Sequence, residues 1–360
     1  MLKDRGIMEE VKLRVITPLF LRGAKAKVEF RPPSLKGVLR FWFRARYPGR
    51  LNEEPGIFGS TETGQASFLI RVPDPPVPPE RKTELLGSLS YLGYGLDDKG
   101  RGPYCYIQPG EEIVVRFIFR PHSKIDGRKE VMESLRCLCL LGGLGARSRR
   151  GFGSVVNLAD LPADIDELCN QIAGICQRDN LPAEVGHTAF SQRMRVVIPF
   201  VAKKWSDALQ KIGHELQRFR SNCTEIPKTP RFSRDRDLIY NTIRGIRPTT
   251  VPQRVMFGLP HNYFFRNLGS KTASVTGVKR DRRASPLLIH IHLLADGRHA
   301  VVVSFLPAPL VPADEKLRIT VGKKPNEKVY DGLPVPSDLS AVESFMDHLT
   351  RLSGSREVNL

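Results

Sequence analysis

The sequence lacks the long apolar segment that a membrane-spanning helix requires. Such a helix needs about 18 or more consecutive apolar residues, and no stretch of this 360-residue chain is that long and that apolar. The first ten residues, MLKDRGIMEE, carry charges and no apolar core, so they do not look like a secretory signal. We therefore expect no membrane partner and predict a cytoplasmic protein.

The sequence also lacks the paired cysteines of a zinc site. None of its six cysteines forms a CxxC pair. Cys137 and Cys139 lie in an apolar helical pattern, where residues two positions apart point about 200° apart, so we expect reduced, buried thiols. His290 and His292 would share one strand face and could suit a metal, but no ligand-type partner stands beside them. We predict neither a metal site nor a cofactor.

The sequence also has few acidic residues relative to its basic ones. The chain has 56 Lys and Arg against 38 Asp and Glu, which gives a net charge of +18. A charge of that size says little about the fold, but it favours a polyanionic partner. Because the sequence argues against a membrane surface, nucleic acid is the class of partner that the composition indicates.

Glycine and arginine are concentrated in residues 142–154, GGLGARSRRGFGS, which contain no acid. Glycine permits positive φ and lets a ligand approach bare backbone N–H groups, while arginine can bond a phosphate through two parallel hydrogen bonds. Such a loop can also serve only to turn the chain. We interpret it as a polyanion-binding loop whose contacts are Gly143, Gly145, Arg147, Arg149, Arg150, Gly151 and Gly153.

A second basic surface is predicted on a helix over residues 35–47. Leu35, Leu39 and Trp42 fall on its core face, whereas Lys36, Arg40 and Arg44 recur every four residues on another face. Residues 31–51 contain no acid that would offset the repulsion between these cations, which is roughly a few tenths of a kcal/mol per pair in an isolated helix. The alternative is an ordinary solvated face. We favour contact of Lys36, Arg40 and Arg44 with RNA or DNA.

The order of predicted elements indicates the α+β class. Residues 1–160 read strand, helix, strand, strand, helix, strand, which is the order of a ferredoxin-like (RRM-like, split βαβ) domain. Residues 161–184 are predicted to be a helical connector. Residues 185–360 repeat the first domain loosely, so we predict two ferredoxin-like domains in tandem, the second more divergent.

A strand, two helices and a hairpin are predicted from their own patterns. Residues 112–120 alternate strongly, as a strand does, whereas residues 126–141 and 205–219 show helical spacing. Residues 286–294 and 299–305 are predicted to form a hairpin around Asp296-Gly297.

The predicted repeat rests on three pairs of segments in the same order along the chain. They are LRVITPL (13–19) with MRVVIPF (194–200), IFG (57–59) with MFG (256–258), and ASFLI (66–70) with ASPLLI (284–289). A single similar pair of segments would be expected by chance. No second glycine-rich loop follows the helical pattern of residues 337–352, so the second domain lacks the first domain's best phosphate-binding candidate.

Further basic segments are predicted as secondary RNA contacts in loops. Each on its own would usually be solvated surface, and only the net charge of +18 favours an RNA contact. Residues 231–247 hold five arginines and are also expected to be a loop. The individual secondary contacts that we predict are Arg22, Lys25, Lys27, Lys279, Arg280, Arg282 and Arg283.

The first 160 residues resemble the RAMP (repeat-associated mysterious protein) superfamily. The resemblance is carried by TPLF (17–20), RPPSLKGVLRFWFRA (31–45), IFGS (57–60) and the GxGxxxxxGxG pattern that starts at Gly143. The helix segment is the specific part and is most similar to the first-subunit family of the Cmr complex, the type III-B CRISPR effector. Through RRASPLLIHI (282–291) a looser similarity extends towards the end of the chain.

This resemblance implies a ferredoxin-like RNA-recognition fold in each domain. It also implies a place in a multi-subunit, RNA-guided complex that destroys matching transcripts, as a terminal, non-catalytic component near the guide's 3′ end. The expected partners are guide RNA or target single-stranded RNA, together with other Cmr subunits. Phosphates would contact the basic helix and the loop, and Phe43, Tyr47 or Phe152 would be available to stack on a splayed base.

The alternative is a metal-independent endoribonuclease that processes CRISPR guide precursors, the activity of related RAMP proteins. That chemistry needs a general base with a pKa near 7 beside the scissile 2′-hydroxyl. His122 is the only histidine in residues 1–160 and is remote in sequence from both basic segments, while Tyr47 would need a strongly lowered pKa. We therefore predict no catalytic residue. A ribosome-associated or purely scaffolding protein is a third possibility.

Overall fold

The structure is a computed structural model that describes residues 7–21, 28–76, 89, 91–96, 105–121, 126–176, 181–220, 232–322 and 327–360. The helices are α1 (Pro32–Arg46), α2 (Glu54–Phe58), α3 (Arg128–Leu141), α4 (Ile165–Cys176), α5 (Trp205–Arg220), α6 (Ser233–Ile243) and α7 (Ser340–Thr350). The strands are β1 (Met8–Val15), β2 (Phe68–Arg71), β3 (Glu112–Phe119), β4 (Val155–Asn157), β5 (Arg195–Ile198), β6 (Val201–Ala202), β7 (His261–Phe265), β8 (Lys271–Gly277), β9 (Leu287–Leu293), β10 (His299–Phe305), β11 (Leu317–Val321), β12 (Lys328–Leu333) and β13 (Arg356–Glu357). These elements form a mixed α+β fold with three antiparallel sheets among the described residues.

The first sheet has the strand order β2-β3-β1-β4. Its central strand β3 alternates strictly, with Ile113, Val115 and Phe117 buried and the residues between them partly exposed. That alternation is the sequence signal of a strand with one buried face. Helices α1 and α3 pack against each other and belong to the same apolar core as the strands.

Helix α1 begins at Pro32, three residues before the start that the sequence predicted. Pro32 occupies the first turn, and Arg31 takes an extended conformation without a side-chain cap. Proline is well suited to this position because its fixed φ matches the helix and its missing N–H would be unpaired there. The predicted core face is confirmed, and Phe43, which was expected to be available for stacking on a base, is also fully buried.

The second sheet has the order β13-β5-β10-β6, and β9 pairs along the whole of β10. The predicted hairpin over residues 286–305 is therefore confirmed. All of β9 is buried, including His290 and His292, because the strand lies between α3 and α5. Helix α5 matches the predicted helix of residues 205–219.

The third sheet, of order β12-β11-β8-β7, was not anticipated from the sequence. It has an apolar core of its own, in which Val275 and Ile319 meet Ile239 of α6. The expectation that residues 231–247 form a loop is wrong, since α6 covers most of them. The expected loop after β8, residues 278–283, is present.

The cores of the first two sheets are continuous across the predicted domain boundaries. Leu13 of β1 lies in one apolar cluster with Ile198 of β5, and Phe152 of the glycine–arginine loop lies in a second cluster with Leu209 of α5. Helix α4 falls inside the segment predicted as a connector and packs against α3. The two halves are therefore joined by buried apolar contacts rather than by a linker alone.

Among the residues described, no helix combines the length and the apolar character needed to cross a bilayer.

Candidate nucleic-acid interface

The glycine–arginine loop, residues 142–154, is fixed on both sides by the rest of the chain. On the side of β1, the N–H of Gly153 donates to the carbonyl of Pro18 over 3.0 Å, and the Thr17 hydroxyl donates to the carbonyl of Gly151 over 2.7 Å. On the other side, the N–H of Ile289 in β9 donates to the carbonyl of Arg149 over 3.1 Å. The loop is thus a built part of the junction between the first two sheets.

The glycines of this loop are required by the chain's own packing. Gly145 and Gly153 have φ values of 77° and 65°, and a Cβ at either position would overlap a backbone carbonyl, that of Phe20 or Leu144 respectively. At Gly143 a Cβ would lie 2.8 Å from the carbonyl oxygen of Phe152, and at Gly151 it would lie 2.5 Å from a methyl group of Leu209. The space that these four glycines leave is therefore filled by protein atoms.

Two of the loop's three arginines hold it to neighbouring segments. Arg147, with φ of 59°, donates to the carbonyl of Tyr94. Arg149 donates to the carbonyl of Ser285, and its guanidinium lies 5.1 Å from the centre of the Phe41 ring on α1. Burial lowers the pKa of Arg149 to about 10. These contacts give both side chains a structural role.

The third arginine of the loop, Arg150, does not bind a neighbouring segment among the described residues as Arg147 and Arg149 do. It is partly buried, yet no hydrogen bond or ion pair engages its side chain within the part of the chain that is described. Burial, followed by the neighbouring guanidinium groups of Arg147 and Arg220, lowers the pKa of Arg150 to about 10. A partly buried cation beside two others, without a carboxylate, is an arrangement that an external anion would stabilise.

The basic face of α1 does have an internal counter-charge, contrary to the expectation from the acid-free residues 31–51. Glu54 of α2 accepts from Arg44 over 2.7 Å, and its carboxylate lies 3.0 Å from Nε of Arg40. Arg40 also donates to the carbonyl of Gly59. The acid-free window, residues 31–51, ends just before this glutamate.

Lys36, on the same face, contacts no carboxylate among the residues that the structure describes. Its ammonium group lies 5.6 Å from the centre of the Phe68 ring on β2. Burial, together with the positive charges of Arg40 and Arg120, lowers the pKa of Lys36. This end of the face, beside β2, is therefore more electropositive than the end beside Arg44.

The three aromatic rings predicted to stack on a base are not available for that role. Phe43 and Phe152 are fully buried. The hydroxyl of Tyr47 donates to Glu133 over 2.8 Å, and burial together with Glu133 raises the pKa of Tyr47. A raised pKa also argues against Tyr47 as the base of a ribonuclease.

The predicted secondary contacts have different environments. Lys279 is paired with Asp314 over 2.6 Å, and Arg283 donates to the carbonyl of Ala284 over 2.7 Å and to Thr188 over 3.2 Å. Arg280 and Arg282 are exposed. Arg22, Lys25, Lys27 and the candidate base His122 lie outside the described residues.

The structure therefore separates the predicted contacts into two surfaces. Arg149 reaches α1 at Phe41, whereas Lys36, Arg40 and Arg44 face α2 and β2. Arg150 is near Arg220, the last residue of α5. Sequence reasoning missed Arg220, because it lies far from the loop along the chain and no pattern connects the two.

His290 is hydrogen-bonded within the protein, whereas Nε2 of its neighbour His292 has no partner among the described residues. Nδ1 of His290 is 2.6 Å from the carbonyl oxygen of Gly142, and its Nε2 is 3.2 Å from Nδ1 of His292. Burial lowers the pKa of His290 to about 4. Cys137 and Cys139 are buried on α3, as expected. No group of three or more metal-ligating side chains occurs among the residues described.

Comparison with known proteins identifies the family. Residues 12–156 match the model of the RAMP superfamily. Over 176 residues the chain is 31% identical to the CRISPR system Cmr subunit Cmr1-2 of Pyrococcus furiosus, an alignment that covers 40% of this chain and 91% of that protein. The chain belongs to the Cmr1 family of the RAMP superfamily.

Two further comparisons extend the Cmr1 similarity over most of the chain. The CRISPR system Cmr subunit Cmr1-1 of Pyrococcus furiosus is 24% identical over 339 residues, which are 85% of this chain and 89% of that protein. The crystal structure of Cmr1 from Pyrococcus furiosus in its apo form superposes with a TM-score of 0.58, covers 98% of both chains and is 18% identical. The superposition shows that the Cmr1 fold extends through the third sheet.

Proposed function

We propose that this protein is an RNA-binding, non-catalytic subunit of an RNA-guided type III-B CRISPR (Cmr) complex that silences foreign RNA. Its similarity to two Cmr subunits supports a place beside other Cmr subunits. The RNA-binding part is carried by Arg150, a partly buried cation that no carboxylate of the described residues neutralises. The phosphates of a guide or target single-stranded RNA would supply the missing negative charge.

We further propose that the first two sheets belong to ferredoxin-like units in tandem, with boundaries near residues 160 and 185. The first unit follows β1, α1, β2, β3, α3, β4, with sheet order β2-β3-β1-β4. The elements β5, α5, β9, β10, α7 and β13 repeat that sequence, with sheet order β9-β10-β5-β13. On this reading α6 and the third sheet are insertions into the second, more divergent unit. Four-stranded sheets of this kind are a common scaffold for single-stranded RNA.

Two glycines at equivalent places support the duplication. Gly59 ends α2 and Gly258 ends the short helical turn of residues 253–257, both with positive φ. A Cβ on Gly59 would lie 2.8 Å from the amide nitrogen of Ala66, and a Cβ on Gly258 would lie 3.1 Å from that of Ser285. Each IFG or MFG turn thus packs closely against its own ASFLI or ASPLLI segment, in agreement with the sequence repeat.

The arrangement supports contact with the phosphate backbone rather than with base edges. The described cations near Arg150 are guanidinium groups, and the three aromatic rings named as stacking candidates are buried or engaged. Phosphate contacts position a strand without reading its sequence. We therefore expect an affinity that depends weakly on sequence and strongly on salt, as is general when lysine and arginine displace counterions.

The proposal is tested by incubating the purified full chain with an end-labelled, single-stranded guide precursor. We expect a salt-sensitive complex in a mobility-shift assay and intact RNA on a denaturing gel after the same incubation. Absence of a complex at low salt would contradict the RNA-binding part of the proposal. Specific cleavage products would instead support the endoribonuclease alternative.

A second prediction concerns the counter-charge on the basic face of α1. Glu54→Gln removes the carboxylate that Arg40 and Arg44 share, so we expect the affinity for single-stranded RNA to rise roughly threefold, with a stability loss of about 1 kcal/mol. Fluorescence anisotropy at fixed salt measures the affinity. Glu62→Gln, at an exposed position, makes the same change in net charge and is the control. If Glu54→Gln binds no more tightly than Glu62→Gln, the face does not contact RNA.

A further inference from the structure

Arg150 is one member of a second cluster of polar groups, at the place where the loop meets α5 and the third sheet. Arg220 ends α5, and its guanidinium lies 5.0 Å from the centre of the Phe257 ring. Its carbonyl accepts from Nη1 of Arg254 over 3.4 Å. Nε of Arg220 is buried and has no hydrogen-bond partner among the described residues. Arg150 is close enough to Arg220 for the two charges to interact.

Strand β7 adds two more polar side chains to this cluster. The rings of His261 and Tyr263 are 4.8 Å apart, edge to face, and the Arg254 guanidinium lies 5.3 Å from the centre of the Tyr263 ring. Nε2 of His261 and the hydroxyl of Tyr263 are both buried, and neither has a hydrogen-bond partner of normal geometry within the described residues. Buried polar groups are nearly always paired in folded proteins. Nε of Arg220 and Nε2 of His261 have no partner among the described residues, and the Tyr263 hydroxyl has only a contact of poor geometry with Arg254, so the group indicates a ligand.

The charge of the cluster shows which kind of ligand would fit. Burial, followed by the positive charges of Arg220, Arg254 and Arg150, lowers the pKa of His261 well below its ordinary value. Asp235 balances only Arg254, whose Nε lies 3.3 Å from its carboxylate. The described part of the cluster therefore carries more positive than negative charge.

The hydrogen-bond donors of these side chains indicate which class of anion the site would bind. Guanidinium groups only donate hydrogen bonds, a neutral imidazole can donate from one nitrogen, and a phenol can donate from its hydroxyl. Donors that converge from α5, the loop and β7 suit an oxyanion with acceptor oxygens on several sides, and arginine is well matched to phosphate. A neutral His261 adds a donor without needing a counter-charge of its own.

We propose that Arg150, Arg220, His261 and Tyr263, with Arg254 behind them, form a binding site for one phosphate group. That the phosphate belongs to an RNA strand rests on the proposed function. The site would tie RNA to the junction of the loop, α5 and the third sheet, away from the basic face of α1. It gives the third sheet a part in binding, because β7 supplies two of the donors.

The first test uses inorganic phosphate and does not depend on RNA. In a buffer without oxyanions, phosphate should raise the thermal midpoint of the full chain in a saturable way, by mass action on the folded state, whereas chloride at equal ionic strength should not. Arg220→Gln should abolish this rise. Its midpoint without phosphate should equal or exceed that of the unmodified protein, because a partly buried cation without a carboxylate partner among the described residues has been removed.

The matched control is Arg218→Gln on the same helix. Arg218 is more exposed, lies 3.8 Å from Glu215, and loses the same charge on substitution; this variant should keep the phosphate effect. Tyr263→Phe, which removes only a hydroxyl, should reduce the rise of the thermal midpoint that phosphate causes. This variant replaces Arg220→Gln in the test if Arg220→Gln does not fold. The site is contradicted if phosphate acts no differently from chloride, or if Arg220→Gln and Tyr263→Phe respond as the unmodified protein does.

The second test uses single-stranded RNA and separates the two proposals. Arg220→Gln should lower RNA affinity about tenfold, the effect expected for loss of one charge-assisted contact, while Arg218→Gln should change it little. If the unmodified chain binds no RNA, the proposed function fails while the phosphate result still stands. If RNA binds and Arg220→Gln leaves its affinity unchanged, the site takes a free oxyanion and its assignment to RNA is wrong.

Discussion

Replacing Gly153 by alanine is expected to destabilise the protein by about 2–5 kcal/mol. The left-handed backbone at this position, with φ of 65°, costs a residue with a Cβ roughly 1–2 kcal/mol. The added Cβ would also overlap the carbonyl of Leu144 and lie 3.0 Å from a methyl group of Leu19, and overpacking of this kind typically costs about 1–3 kcal/mol. The shift of the urea unfolding midpoint measures the sum.

Gly110→Ala is the control that separates backbone strain from the clash. Gly110 also has positive φ, at 97°, but a Cβ there would meet no atom within 4 Å. We therefore expect a clearly smaller loss at Gly110 than at Gly153. Equal losses would show that Gly153 is needed only for its φ, and that the close packing of the loop on itself contributes nothing.

Replacing Arg150 by glutamine is expected to lower RNA affinity about tenfold while leaving the free energy of unfolding unchanged or slightly higher. A charge-assisted hydrogen bond contributes roughly 1.5–3 kcal/mol, and loss of one such bond accounts for the change in affinity. Stability should not fall, because within the described residues the Arg150 side chain has no hydrogen bond or ion pair to lose. Anisotropy titrations and urea unfolding measure the two quantities.

Arg195→Gln is the matched control, since it changes the net charge equally at an arginine that the protein already neutralises. Arg195 lies 2.7 Å from both Asp347 and Glu357. Its loss should lower stability by about 1–2 kcal/mol and change RNA affinity little. If both variants weaken RNA binding to the same degree, the overall charge of the protein governs binding and Arg150 has no special role.

The sequence predicted the elements whose hydrophobic pattern is strong. The alternation through Ile113, Val115 and Phe117 placed β3 within one residue of its observed end, and the helical spacing after residue 126 placed α3 within two residues of its start. Such patterns predict strands and helices well because the spacing of the apolar residues depends only on which face of the element is buried. The hairpin of β9 and β10 was predicted from its turn, Asp296-Gly297, between two apolar strands.

The third sheet was missed because its strands and helix carry weaker patterns. Helix α6, SRDRDLIYNTI, contains two arginines and two aspartates, and the only residues of its apolar stripe that are fully or nearly buried are Ile239 and Ile243. Among basic neighbours this segment looks like a charged loop. Its burial depends on contact with β8, which is distant in sequence and cannot be inferred from local composition.

The candidate site was predicted only in part, because its details also depend on contacts between segments that are distant in sequence. The glycine and arginine composition identified the loop, but it did not show that the glycines accommodate neighbouring carbonyls, or that Arg147 and Arg149 bind backbone oxygens. The pairing of Arg40 and Arg44 with Glu54, and the approach of Arg220 to Arg150, are tertiary contacts. Charge density along a sequence indicates that a polyanion is expected, whereas only the fold shows which cations are still unneutralised.

The central claim is that RNA binds to the cations that the fold leaves without carboxylates. The most direct test is the slope of log K against log salt for single-stranded RNA, compared between Arg150→Gln and Arg195→Gln. Loss of one phosphate contact flattens the slope by about 0.7 for a single strand. We predict that flattening for Arg150→Gln and an unchanged slope for Arg195→Gln. An unchanged slope for Arg150→Gln, or equal flattening in both variants, would contradict the claim.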